Sequence, residues 1–230
     1  MTDKEDIRAR FFSRFGDRLK TARDCDIPNA DRLILLTACL DALAMHWMST
    51  CAEPEKTSRA GRMRRFLLRH GQHDAWSRVS APLLRDRVVS AEAKADIEQR
   101  FPFLRYKPRQ YNEVATWKDD PTFDDIQATN LVKPKPLVGC SYPGIVYKEL
   151  RCGWLHESRG ESDAVETPAR DDFAGGEPSY SCDFSSARLS LVVPVSFLVQ
   201  TLERALKSFE QEASERDIVP YIERAHIGEL

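Results

Sequence analysis

The 230-residue sequence predicts an all-α protein: a helical bundle of five or more helices with two long irregular insertions and a short β-hairpin. Apolar residues recur every three to four positions in most segments, which is the repeat of amphipathic helices. The alternation of apolar and polar residues that is typical of a strand is confined to residues 188–193. With 42% hydrophobic and 30% charged residues, the composition excludes wholesale disorder. The length favours one domain over residues 1–230.

Two helices are predicted at the start of the chain. The first spans about residues 5–22, and its apolar positions are Ile7, Phe11, Phe12, Phe15 and Leu19. The second contains the apolar run from Leu33 to Met48 and is expected to be the most buried element, with Asn29 or Asp31 as its N-cap. The polar residues that make this run fall short of a membrane span are Thr37, Asp41 and His46. We interpret His46 as a core histidine.

A basic helix is predicted next, ending at Gly71. It contains Arg59, Arg62, Arg64, Arg65 and Arg69, with no acid among them. The helix therefore has one basic face, and we interpret the Arg65–His70 pair on it as a solvated face. Short helices are expected around Trp76 to Leu84, interrupted by Pro82, and over residues 91–104.

Residues 105–140 lose the helical repeat and predict the first irregular insertion, an ordered excursion held by single aromatic residues. A helix capped by Ser141 follows, with Pro143 in its first turn. Residues 159–186 predict the second insertion. After the strand-like stretch, a last helix starts near Phe197 and ends near Ser214.

The charge balance limits the possible partners. A net charge of −2 and a pI near 6.2 exclude a small basic nucleic-acid binder, so an anionic partner would need a local basic cluster. The acidic N-terminus does not resemble a signal peptide, and we expect a cytoplasmic protein without a membrane partner. Six cysteines without paired Cys-x-x-Cys spacing predict reduced thiols and no metal site.

The strongest candidate site lies in the segment from Tyr147 to Glu157, which reads YKELRCGWLHE. Arg151 and His156 are five residues apart, an offset of about 140° on an ideal helix. They share a face only if the helix end loosens, which Gly153 favours. An arginine offers N–H donors that match phosphate oxygens, and a histidine transfers protons near neutral pH.

Together these groups suit metal-free cleavage of an RNA phosphodiester. In this reaction the ribose 2′-hydroxyl loses its proton and attacks the neighbouring phosphorus, and the 5′-oxygen leaves. DNA lacks that hydroxyl and would not be cut. The structural alternative for Arg151 and His156 is a helix-end cation bonded to carbonyls and a histidine that interacts with the helix dipole.

The same segment resembles the Arg-x4–6-His signature of the HEPN superfamily (higher eukaryotes and prokaryotes nucleotide-binding), which lies at the end of a long helix. The helix with Asp41 before it, and the helix from Phe197 to Phe209 after it, are similar to the bundle order of those proteins. The resemblance implies a metal-independent endoribonuclease without a cofactor. It implies that Arg151 stabilises the phosphate and that His156 transfers the proton.

The resemblance also implies a homodimer in which two signature helices meet and form one composite cleft for an RNA substrate. Its implied setting is prokaryotic defence or a toxin–antitoxin pair, with an antitoxin or defence protein as partner. The chain departs from active members at Cys152, where they usually have Asn, Asp or His. Ser158 stands where some members carry a tyrosine that accepts a regulatory modification.

Several alternatives accompany this hypothesis. Lys148 and Arg159 contact the RNA backbone or are merely solvated. Cys152 forms a dyad with His156, as in a thiol-dependent hydrolase, or is an inert thiol. The aromatic residues that stack bases or pin the first insertion are Tyr106, Tyr111 and Trp117. The alternative function is a non-catalytic HEPN-like module that binds RNA, a nucleotide or a protein.

Overall fold

The computed structural model describes residues 3–51, 57–101, 115–130, 132–152, 165–166, 176–183 and 188–220. Within these ranges the chain forms nine α-helices and a small sheet, which confirms the all-α bundle with a hairpin. The helices are α1 Asp3–Asp24, α2 Asn29–Thr50, α3 Arg59–His70, α4 Ala81–Arg87, α5 Ala91–Arg100, α6 Phe123–Thr129, α7 Pro134–Cys140, α8 Tyr142–Ile145 and α9 Val195–Glu215. Helix α8 continues as a π-helix, Val146–Cys152.

Helix α2 lies at the centre of the bundle and packs against α1, α3, α9 and the π-helix. Its inner face is inaccessible to solvent at Leu33, Leu36, Leu40 and Leu43. The ring of His46 is also buried and lies 4.9 Å from the ring of Phe11, so the prediction of a core histidine is confirmed. The predicted N-cap is wrong, because the residue before the helix is Pro28 and no side chain caps it.

Among the described residues, α2 is one helix that could cross a membrane by length and composition. The sequence predicted that this apolar run is too short to span a membrane. By length and composition that prediction is wrong, because polar residues 37, 41 and 46 do not shorten the helix. The core helix of a soluble protein passes the same test, and 56% of the apolar window of α2 is buried inside the bundle. The expectation of no membrane partner stays a prediction.

Helix α3 ends at Gly71 as predicted, and its arginines differ in exposure: Arg59 and Arg69 are exposed, whereas Arg62, Arg64 and Arg65 are partly buried. The Arg62 guanidinium donates to Asp41 on α2. The guanidinium carbon of Arg64 lies 3.6 Å from the centre of the Phe123 ring. The helix packs against α2, α7, α8 and α9, so some of its arginines find partners within the chain. A count of charges along one helix does not reveal partners on other helices.

His70, also assigned to that solvated face, is almost fully buried at 1% exposure. Its Nδ1 lies 3.0 Å from the Ser208 hydroxyl oxygen, and its Nε2 lies 3.2 Å from a carboxylate oxygen of Glu212. Burial lowers the pKa of His70 to about 4. His70 therefore joins α3 to α9 as a neutral core side chain at neutral pH.

The described part of the first insertion is more regular than the sequence predicts. It contains a 3-10 turn, Trp117–Asp119, followed by α6 and α7. Each of these helices has seven residues, too few for a helical repeat to stand out. Trp117 is buried and donates its Nε1–H to Glu177, which confirms its pinning role. Tyr106 and Tyr111 lie outside the described residues.

The sheet has the strand order β1-β3-β2 and consists of β1 Val165–Glu166, β2 Ser179–Asp183 and β3 Arg188–Val192. Strands β2 and β3 are antiparallel, with Tyr180 opposite Leu191, whereas β1 runs parallel to β3. The strand predicted over 188–193 is thus confirmed. A hydrogen bond from the backbone N–H of Tyr180 in β2 to the carbonyl oxygen of Ala115 connects the sheet to the first insertion.

A buried carboxylate, Asp120, joins this sheet to the helices. It accepts hydrogen bonds from the hydroxyls of Tyr142 and Tyr180, at 2.7 and 2.5 Å, and from the backbone N–H of Ala81, at 2.9 Å. Burial raises the pKa of Asp120 to about 7, although all three bonds favour the charged form. This contact positions Tyr142, the first residue of α8, and hence the segment that carries Arg151.

Candidate functional site

The segment that carries Arg151 begins as predicted. The Ser141 hydroxyl accepts a hydrogen bond from the N–H of Gly144, and Pro143 lies in the first turn of α8. The packing is so close that a Cβ atom on Gly144 would clash with the carbonyl oxygen of Val138. Both contacts fix where this segment starts on the bundle.

After Ile145 the winding changes from α to π. The hydrogen bonds of a π-helix join residues five apart, and such short stretches are frequent at functional sites. Residues five apart therefore lie near one another, as the side chains of Tyr147 and Cys152 do. On an ideal α-helix the same offset separates two side chains by about 140°.

Arg151 is held by a carboxylate of the central helix. Its Nε lies 3.0 Å from Oδ2 of Asp41, and only 19% of its side chain is exposed. Its guanidinium carbon lies 5.5 Å from the centre of the Tyr147 ring, and Nη1 donates to Cys152 Sγ at 3.8 Å. Burial lowers the pKa of Arg151, but the contacts with Cys152 and Asp41 raise it by more. Arg151 therefore stays protonated.

Asp41 holds a second arginine with its other oxygen. Nη2 of Arg62 donates to Oδ1 at 3.1 Å. Asp41 has a side-chain exposure of only 12%, and each of its oxygens faces one guanidinium. The carboxylate thus fixes Arg62 and Arg151 relative to each other, although they belong to α3 and the π-helix.

Arg59 completes this group, because its guanidinium is close enough to the Tyr147 hydroxyl to favour the charged form of that phenol. Burial raises the pKa of that phenol, so it remains neutral. We call the group the Asp41 cluster; its members are Asp41, Arg59, Arg62, Tyr147 and Arg151. It combines three guanidinium groups with one carboxylate, and is therefore a local basic cluster in a chain of net charge −2.

The other predicted site residues are placed as follows. Lys148 is 59% exposed, and its Nζ lies 3.5 Å from Oε1 of Glu149 rather than in the Asp41 cluster. Cys152 is partly exposed beside Arg151. His156 and Arg159 lie outside the described residues, so their assigned roles stay predictions.

Sequence reasoning singled out Arg151 but missed its partners. One signal was available: Asp41 is the single acid in the apolar run from Leu33 to Met48. A carboxylate on a buried face needs a cation or hydrogen-bond donors. The sequence did not indicate which of its many arginines would supply them.

The described residues contain no group of three or more His, Cys, Asp or Glu that could hold a metal ion. The cysteines whose side chains fall in that part of the chain are free: Cys25, Cys39, Cys51, Cys140 and Cys152. The chemistry available at the Asp41 cluster itself is that of fixed guanidinium groups, which bind and stabilise oxyanions such as phosphate.

Comparisons of the chain with family models, curated proteins and solved structures find no significant match. The resemblance to HEPN proteins therefore depends on the segment around Arg151 and on helix order. A function for this chain has to be argued from its own side chains.

Proposed function

We propose that this protein is a metal-independent endoribonuclease of the HEPN type, with Arg151 and His156 as catalytic residues. The observation that carries the proposal is the ion pair between Arg151 and Asp41, which fixes a guanidinium group within a cluster of three arginines. A dianionic transition state at phosphorus is stabilised best by cations that are already oriented.

The contact through Nε leaves Arg151 suited to this task. A guanidinium group has five N–H donors, and one carboxylate oxygen engages only part of them. Asp41 therefore positions the planar group along one edge. Arg62 adds positive charge at the other oxygen of the same carboxylate.

The proposed reaction needs no group from outside the chain. His156 removes the proton of the ribose 2′-hydroxyl, whose oxygen attacks the adjacent phosphorus, while Arg151 stabilises the charge on the phosphoryl oxygens. The bond to the 5′-oxygen breaks, and that oxygen takes up a proton from water, while the His156 imidazolium returns the proton it gained to solvent. The products are a 2′,3′-cyclic phosphate and a 5′-hydroxyl.

The test is incubation of the purified protein with end-labelled RNA in excess EDTA. We expect cleavage products with 2′,3′-cyclic phosphate ends. An otherwise identical substrate with 2′-deoxy nucleotides should stay intact. Cleavage of the deoxy substrate, or cleavage that EDTA abolishes, would contradict the proposed chemistry.

The second candidate is a non-catalytic module that binds RNA through the same arginines. Cys152 favours it, because this position beside Arg151 is usually polar in active HEPN proteins. In the assay this candidate predicts retained RNA binding with intact RNA. In either case we propose a cytoplasmic role in prokaryotic defence or in a toxin–antitoxin pair, with Lys148 and Arg159 near the RNA backbone.

Asp41→Asn tests whether the carboxylate positions Arg151. The amide keeps the shape but loses the charge that holds two guanidinium groups, so we expect kcat to fall by about 10–100-fold with a smaller change in KM. Asp41→Glu should restore part of the activity. The matched control is Asp124→Asn. This substitution removes the exposed acid on α6 that lies near Arg64 of the arginine-rich helix α3.

A purely structural role for Asp41 would lower the thermal stability without changing kcat at temperatures where the protein is folded. The measurement is therefore made well below the unfolding midpoint of each variant. An unchanged kcat in Asp41→Asn would contradict the positioning role.

A further inference from the structure

A second cluster of polar side chains lies where α3 packs against α9. His70 is the last residue of α3, and its Nδ1 lies 3.0 Å from the hydroxyl oxygen of Ser208. Its Nε2 lies 3.2 Å from Oε2 of Glu212. Ser208 and Glu212 are four residues apart on α9, so both lie on the helix face that meets the histidine. We call these three residues the His70 cluster.

Aromatic rings hold the imidazole of His70 in one orientation. The centre of its ring lies 5.0 Å from that of Phe66, 5.4 Å from that of Trp47 and 5.7 Å from that of Phe209. The residue is only 1% exposed. Exchange of the two ring nitrogens would therefore displace close-packed core side chains. Nδ1 stays directed at Ser208 and Nε2 at Glu212.

Glu212 is the charged member of the cluster. The indole N–H of Trp47 donates to its Oε2 at 3.2 Å, and Nη1 of Arg216 donates to its Oε1 at 3.0 Å. Burial raises the pKa of Glu212, but the bonds from Trp47 and Arg216 and the charge of Arg69 lower it by more. The carboxyl group therefore stays ionised, and contacts outside the cluster fix its position.

This carboxylate selects one of the two neutral forms of the imidazole. Burial lowers the pKa of His70 to about 4, so at neutral pH the ring is neutral and carries a single N–H. A carboxylate attracts an N–H and repels a nitrogen lone pair, so the proton lies on Nε2. The lone pair of Nδ1 then faces Ser208, whose hydroxyl donates to it.

We infer that Ser208 is an activated nucleophile, with His70 as its general base and Glu212 as the residue that positions the base. A hydroxyl next to a base that a third group orients is the arrangement of nucleophilic catalysis. Here Nδ1 faces the hydroxyl and Nε2 faces the carboxylate. Ser208 is partly exposed, so a reagent reaches it from solvent. The substrates that fit this partial exposure are esters with a small acyl group.

The reaction transfers the acyl group of the ester to Ser208. His70 Nδ1 takes the hydroxyl proton as Oγ bonds to the carbonyl carbon. The bond from that carbon to the alcohol oxygen breaks, and the alcohol leaves with the proton. Water then attacks the acyl-serine in the same way and releases the carboxylic acid. Arg69 is 63% exposed with Nη2 3.6 Å from Oε1 of Glu212, which places a cation at this edge of the α3–α9 contact.

The first test is incubation of the full-length protein with a fluorophosphonate probe, followed by peptide mass spectrometry. The serine oxygen bonds to phosphorus, and fluoride leaves. We expect the label on Ser208, at a rate about 100-fold or more above that of Ser214, an exposed serine of the same helix. With p-nitrophenyl acetate we expect a burst of nitrophenolate and an acetyl group on Ser208.

Ser208→Ala should abolish both the label and the burst, because it removes the nucleophile. The matched control is Ser214→Ala, which should react as the wild type does. Circular dichroism and thermal unfolding show whether each variant keeps its helices. A burst that persists in folded Ser208→Ala protein would contradict the assignment.

The second test reads the imidazole directly. The ¹⁵N chemical shifts of labelled histidine should show His70 with a proton on Nε2 and none on Nδ1 at neutral pH. In Glu212→Gln we expect both tautomers, and labelling of Ser208 slower by about 100-fold or more. A merely structural role for Glu212 would shift the unfolding midpoint and leave the tautomer unchanged.

Two results would overturn the inference: labelling of Ser208 no faster than that of Ser214, or a wild-type His70 ring protonated on Nδ1. The three residues would then only join α3 to α9. These assays contain no RNA, and the His70 cluster shares no residue with the Asp41 cluster. Their outcome is therefore independent of the proposed ribonuclease function.

Discussion

Replacing His156 with alanine is expected to reduce RNA cleavage by about 10³-fold or more, because it removes the proposed general base for the 2′-hydroxyl. Arg151→Ala should have a comparable effect, since it removes the cation proposed to stabilise the developing charge. Both variants are measured as single-turnover cleavage rates in EDTA. Circular dichroism and thermal unfolding show whether each variant remains folded.

Two further variants make this comparison specific. Arg151→Lys keeps a positive charge next to Asp41 but loses the planar set of donors, so we expect activity between that of the wild type and Arg151→Ala. Arg65→Ala is the matched control, because Arg65 and His70 have the same spacing but lie on α3. Undiminished cleavage by His156→Ala protein would contradict the assignment.

Asp120→Ala is expected to lower the free energy of unfolding by about 3–5 kcal/mol, since it leaves three buried donors without their acceptor. The donors are the hydroxyls of Tyr142 and Tyr180 and the N–H of Ala81. Chemical denaturation at constant pH measures this loss. A loss below about 1 kcal/mol would show that the buried contact does not hold the insertion and sheet in place.

Asp120→Asn tests the pH dependence of the same contact. The folded-state pKa of about 7 lies above the ordinary value of 3.8, so the folded protein retains this proton over a range where the unfolded chain has lost it. The stabilising contribution of Asp120 is therefore complete below pH 4 and declines until about pH 7. The decline amounts to as much as about 4 kcal/mol.

The difference in unfolding free energy between wild type and Asp120→Asn isolates this group. Other titrating residues, including the buried His70 whose lowered pKa acts in the opposite direction, are present in both proteins and cancel. We expect the difference to change steadily between pH 4 and 7 and to be constant above. A flat difference over that range would contradict the raised pKa.

The long helices were predictable because their own residues specify them. The stripes through Phe11 and Leu19, and through Leu33 and Trp47, predicted α1 and α2 to within a few residues. Helices α6 and α7 were missed because two turns do not establish a repeat. The contacts of Asp120 join residues up to 60 positions apart, and no local pattern indicates such a pairing.

The candidate site could be predicted from the sequence only as far as neighbouring residues specify it. The local string around Arg151 pointed to an oxyanion-binding arginine, whereas its ion pair with Asp41 depends on how the π-helix packs on α2. His70 was assigned to solvent because its helix is rich in arginine, yet the packing of α9 against α3 buries it. Tertiary packing decided both outcomes.

The π-winding between Val146 and Cys152 has a consequence for how motifs are defined. A turn that can close with either four or five residues absorbs the gain or loss of one amino acid without moving the side chain at its end. Two sequences in which the spacing between the reactive residues differs by one position can then hold these residues in the same arrangement. Counting positions alone would classify them as different, whereas local helical pitch makes them equivalent.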